Sequence, residues 1–141
     1  MRIFKWQTEE KFLANMMLLS NGLFLVISGY YFIADGYKSA APTYELMTGL
    51  MPLEAWGVVM AIAGLFLSAA AFQLGTMRYS SMIAGGVLGA VMVTLYAMAS
   101  AEGATTYLVP VRYAVMACFN LLIAVLGGIE VWRIKKSMSR R

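Results

Sequence analysis

Few side chains in this chain are able to do chemistry. Asp35, Glu45, Glu54 and Glu102 fall in the segments between long apolar stretches, and Arg112 stands at the start of the last stretch. Carboxylates hydrolyse a substrate or hold a divalent cation when several converge in a dry pocket beside an acid, a base or a metal. The spacing here gives no convergent set. The sequence has no histidine, which removes the commonest general base and the commonest metal ligand together. Its single cysteine, Cys118, has no partner for a disulfide or a CxxC redox pair and reads as a small core residue. No catalytic residue, metal site or cofactor is expected. Glu54 and Arg112 each follow a proline by two residues, Pro52 and Pro110, and predict an ion pair at the outer mouth of a helix bundle.

The elements that must position these groups are apolar and long. Residues 12–34, 55–74, 80–100 and 111–132 form four stretches within the 141-residue chain, and hydrophobic residues make up 61% of it. At 1.5 Å per residue, about 20 helical residues cross a hydrocarbon core of about 30 Å. A soluble bundle needs polar outer faces, and segments such as 58–71 and 121–128 offer none. The fold class expected is therefore all-α, an integral membrane four-helix bundle forming a single transmembrane domain.

The basic residues sort by side. With the N-terminus in the cytoplasm, Arg2, Lys5, Lys11, Arg78, Arg133, Lys135, Lys136, Arg140 and Arg141 fall inside, and only Lys38 and Arg112 outside. Nine against two is the positive-inside pattern, so both termini are expected in the cytoplasm of a multi-pass cell-membrane protein. The net charge of +4 sits beside the spans, not on a folded domain. The basic tail 133–141 thus suits anionic lipid headgroups, and no nucleic-acid partner is expected.

Between the first two spans, Ser39-Ala40-Ala41-Pro42 reads as a cap followed by a proline in a first helical turn. Residues 43–50 then predict a short helix whose apolar side chains, Tyr44, Leu46, Met47 and Leu50, lie on the outer membrane surface or tuck into the bundle mouth. Thr8 followed by Glu9 and Glu10 predicts the start of the first helix, with Trp6 at headgroup level. Residues 75–79 read as a tight turn before the third span.

Small residues mark where helices should meet. Ser81, Gly85 and Gly89 recur every four residues on the third span, Ala124 and Gly128 do so on the fourth, and Ala61, Gly64, Ser68 and Ala71 mark the second. In lipid, such stripes let backbones approach and drive association by van der Waals contact. They serve either packing within the monomer or a homo-oligomer seam, and the sequence leaves both open. Polar residues at depth are Asn15, Asn21, Ser28, Thr94 and Asn120; none is ionisable. Asn21 and Asn120 are expected to hydrogen-bond across a helix pair. Glu130 can pair with Arg133 or Lys135 one turn on.

The segment from Ala41-Pro42-Thr43-Tyr44 to Met51-Pro52-Leu53-Glu54-Ala55-Trp56-Gly57 resembles small four-span membrane proteins of tailed phages and prophages, some of them labelled holin-like. The likeness covers residues 23–75 and implies a viral or prophage protein in a bacterial cytoplasmic membrane; it carries no functional residue across. The function expected is a non-enzymatic membrane component, holin-like or superinfection-related, that acts as a homo-oligomer or by binding another membrane protein. The alternative is an accessory subunit of a larger transporter or respiratory assembly.

Overall fold

A computed structural model describes residues 2–34, 42–102 and 107–139, with side chains from Lys11 onward. The described residues are helical almost throughout: α1 (Arg2–Ala34), α2 (Pro42–Leu50), α3 (Leu53–Phe72), α4 (Gly75–Glu102) and α5 (Leu108–Met138). Four of these, all but α2, are long and apolar enough to cross a membrane, which marks the chain as a multi-pass membrane protein. Large apolar side chains cover the outside of the bundle, among them Phe12, Leu65, Val91 and Leu122. That is the reverse of a water-soluble surface. Asp35, Lys38, Ser39, Arg140 and Arg141 lie outside the described residues, as do the side chains of Trp6 and Thr8.

The helices outrun the apolar stretches that predict them. α1 is helical from Arg2, six residues before Thr8, because nothing between them is a glycine or proline. At 33 residues it is about 50 Å long, well beyond a hydrocarbon core. α5 stays helical to Met138 and so takes most of the basic tail with it. There Arg133 Nη1 donates to Glu130 Oε1 at 2.7 Å, and the Lys136 ammonium lies 4.8 Å from the Trp132 ring centroid. Residues 75–79 belong to α4. The turn before it is only Gln73 and Leu74, and Gly75 takes φ +64°, a left-handed conformation cheap only for glycine. The Gln73 amide N–H caps α3 by donating to Ala69 O at 3.0 Å, and Ser81 Oγ donates to Gln73 Oε1 at 2.6 Å.

Successive spans run antiparallel. α1 and α4 begin at one end of the bundle, here the terminal end, where α3 and α5 finish; the opposite end is the loop end. α3 packs on α1 and α4, and α5 packs chiefly on α4. The buried positions follow a four-three repeat. On α1 they are Leu18, Gly22, Leu25, Gly29 and Phe32; on α3 one row is Trp56, Met60, Ala63, Leu67 and Ala70, with Leu53, Gly57, Gly64 and Ala71 buried beside it; on α5, beyond Pro110, they are Ala117, Asn120, Ala124 and Gly127. Such a repeat is that of left-handed bundles crossing at about 20°. α2 closes the loop end against α3 and α4. Its Met47 is fully buried, and the Trp56 indole N–H donates to Met47 O at 3.1 Å.

Candidate functional site

Where glycine removes the side chain, two backbones can touch, and α1 meets α3 in this way twice. A Cβ on Gly22 would lie 2.7 Å from Gly64 O, and a Cβ on Gly64 would lie 2.5 Å from Gly22 O. One heptad along, Gly29 and Gly57 repeat the arrangement, each Cβ falling 2.5 Å from the other's carbonyl oxygen. Real Cβ atoms do not come so close, so each of the four positions admits glycine alone. Close approach of a carbonyl oxygen to a facing glycine is the setting in which weak Cα–H···O hydrogen bonds recur between membrane helices. Ala61 fits beside Gly29, and Ser68 beside Gly22.

The stripe on α4 is spent inside the same monomer. Gly85 faces Ala63 and Leu67 of α3, while Gly89 faces the Asn120 amide and the Leu25 side chain. Ser81 is buried, and so is Ala124; a Cβ on Gly86 would lie 2.9 Å from the Ala124 Cβ. On α5 only the within-monomer reading of Gly128 is corrected. Gly128 has open space around it, and it is Gly127 that faces α4: a Cβ there would lie 2.9 Å from Tyr79 O. After Ala124 the inward position comes three residues on, because the repeat alternates four and three; a fixed spacing of four drifts off the face. The glycines of α1 and their α3 partner Gly57 were not singled out from sequence. Their signal is the seven-residue interval shared by Gly22 and Gly29 and by Gly57 and Gly64.

A polar bridge crosses the remaining side of the bundle. Asn21 Nδ2 donates to Asn120 Oδ1 at 2.9 Å, and Asn120 Nδ2 donates to Met116 O at 2.9 Å. Asn120 is fully buried, and Gly89 makes the room: a Cβ there would lie 2.7 Å from Asn120 Oδ1. Asn15 Oδ1, Asn21 Oδ1 and Ser68 Oγ are buried without a hydrogen-bond partner.

Toward the loop end, five aromatic rings from four helices pack together, three of the four pairs edge to face and Phe24 with Tyr113 tilted. Phe32 contacts Tyr44 and Tyr96 at centroid distances of 6.0 and 5.5 Å, Tyr96 contacts Tyr113 at 4.4 Å, and Phe24 contacts Tyr113 at 6.3 Å. No pattern in the sequence announces this cluster, since its members come from separate helices and only their depths agree.

The expected pair of Glu54 with Arg112 is not made. Both side chains are exposed, and neither forms an ion pair with any described residue. The reason is topological: α3 and α5 share no substantial interface, so matching depth does not bring their first turns together. Cys118 is also corrected, for it is exposed on the outer face of α5 and not part of the core. Among the described residues, no group of three or more His, Cys, Asp or Glu side chains converges to hold a metal ion.

A groove of about 560 Å³ opens between α1 and the first half of α5, lined by Phe24, Val109, Val111, Arg112, Tyr113, Val115 and Met116. Its origin lies in how the small residues are shared out. α1 turns Gly22 and Gly29 toward α3, and α5 turns Ala124 and Gly127 toward α4. Long side chains are left to face each other between α1 and α5, and they hold the backbones apart. Set against protein-family models, curated proteins and solved structures, the chain matches none of them.

Proposed function

We propose that the protein is a non-enzymatic component of a bacterial cytoplasmic membrane, holin-like or superinfection-related in setting, that acts by docking the outer face of α5 onto another membrane helix. The observation that carries this reading is the distribution of residues on α5. Its Ala124 and Gly127 face α4, while Cys118, Leu122, Val125, Ile129 and Trp132 form an exposed four-three stripe over two heptads. A stripe with that repeat is the face one helix presents to another. α5 is also the least covered span: 22% of its apolar window is buried, against 44% for α3.

Cys118 sits on the stripe and reports on self-association directly. Mild oxidation of membranes holding the wild-type chain is expected to give a disulfide-linked dimer, absent from Cys118→Ala. In mild detergent the same protein should run as a defined homo-oligomer. A second reading, an accessory subunit of a larger assembly, is favoured by the internal use of the α4 glycine stripe, which takes Gly85 and Gly89 out of any seam with a second copy. Under that reading the protein gives no cross-link and runs as a monomer.

Both termini are placed in the cytoplasm, with α2 at the outer surface, on the strength of the nine basic residues on the terminal side. In a Cys118→Ala background, single cysteines at Ser39 and Thr105 should react with an impermeant thiol reagent from outside. One at Ser139 should not, and its labelling in intact cells would reverse the topology.

A further inference from the structure

We infer that the groove between α1 and α5 is a binding site for an anionic phospholipid, its phosphate on Arg112 and one acyl chain along Tyr113, Val115 and Met116. Arg112 is the only charged residue in the groove lining, and the rest of the lining is apolar or aromatic. The guanidinium is exposed and forms no ion pair with any described residue. A buried arginine would need a protein carboxylate; an exposed one at the rim of an apolar groove is matched by a ligand that brings its own anion. Guanidinium binds phosphate oxygens through parallel N–H donors, whereas a lysine there would offer only a point charge.

Depth and direction agree with this occupant. Arg112 lies four residues after Leu108, the first residue of α5, so about 6 Å of helix separates them. That places the cation at headgroup level at the loop end, its apolar stem lying along the groove wall. Tyr113, Val115 and Met116 continue from it toward the middle of the bundle, as an acyl chain does from its headgroup. The groove ends where Asn120 meets Asn21, one turn beyond Met116 and Phe24. Its volume of about 560 Å³ falls within the range of about 300–1,000 Å³ typical of small-ligand sites. The site does not depend on which leaflet the loop end occupies. It uses the loop-end half of α5, at a different depth from the docking residues that begin at Cys118, with Val111 and Val115 on the same four-three row.

The test is lipid binding by the full chain purified in mild detergent, read as thermal stabilisation on titration with dioleoylphosphatidylglycerol or dioleoylphosphatidylcholine. The wild type should prefer the anionic lipid by about fivefold, the selectivity that corresponds to ~1 kcal/mol for one basic residue at a membrane surface. Arg112→Gln should abolish that preference, and Arg112→Lys should retain part of it. Val115→Trp fills the groove and leaves the charge in place; it should weaken both lipids. Lys135→Gln with Lys136→Gln should leave the preference unchanged. The inference is overturned if the preference survives Arg112→Gln, if it follows the tail lysines instead, or if Val115→Trp binds both lipids as the wild type does. Should Arg112→Gln fail to fold, Arg112→Lys and Val115→Trp decide the question between them. A dimer whose cross-links pass through Val115 or Met116 would assign the groove to a second copy and also overturn it.

Discussion

α1 treats two of its long neighbours, α3 and α5, in opposite ways. Toward α3 it presents Gly22 and Gly29, and the two backbones close until carbonyl oxygens touch the facing glycines. Toward α5 it presents Asn21 and Phe24, and the contact is one hydrogen bond and one ring pair beside an open groove. In lipid, where apolar surface gains nothing by leaving the solvent, the closeness of backbones decides how firmly helices hold. A side with glycines every seven residues is closed; a side without them needs a polar bridge and leaves space.

The largest expected effect comes from blocking the closed side. Gly64→Leu puts a branched side chain where Gly22 O and Val26 already lie, and should cost more than about 3 kcal/mol, the upper part of the range for overpacking. Titrated unfolding in detergent checks this. Gly128→Leu, which meets open space, should stay within about 0.5 kcal/mol. Equal losses in the two variants would remove the distinction between the faces.

Removing volume should separate the two sides more gently. Leu67 is fully buried beneath Gly85, and Leu67→Ala should cost about 2 kcal/mol or somewhat more through lost contact and the cavity left behind. Met116 lines the groove, so Met116→Ala enlarges a space already open and should cost less than half as much. A larger loss at Met116 would show that the groove closes in the working protein.

The polar bridge is worth less again. A double-mutant cycle of Asn21→Ala and Asn120→Ala should give a coupling of about 0.6 kcal/mol, in the range measured for hydrogen bonds between membrane helices. A coupling near zero would leave the ring pair as the only link across the open side. The smallest effect is at the loop end. Glu54→Gln and Arg112→Gln should be strictly additive in stability, because the two groups sit on helices that do not pack together.

Much of this arrangement is legible in the residues. Apolar stretches of about 20 residues can only be helices in a bilayer, since every backbone group must then be satisfied within its own segment. Asn21 and Asn120 stand at matching depth in spans that run in opposite directions. What the sequence leaves open is azimuth: which face of each helix meets which neighbour. Glu54 and Arg112 agree in depth and in their place after a proline, yet α3 and α5 are set apart, and depth alone does not reveal it. Gly127 and Gly128 differ by one position, and only the rotation of α5 against α4 sets one inside and the other out. The tyrosine cluster depends on the azimuths of four elements together.

The glycine pairs of α1 and α3 also act as an index mark. In both, the residue numbers add to 86, the signature of a single antiparallel offset. Sliding one helix past the other by a heptad keeps only one glycine pair within the two helices. Any smaller slide sets a side chain against a facing backbone. Two notches seven residues apart therefore fix the alignment of the first two spans with no help from the later ones. The hairpin of α1 and α3 has what it needs to settle into register while α4 and α5 are still being made.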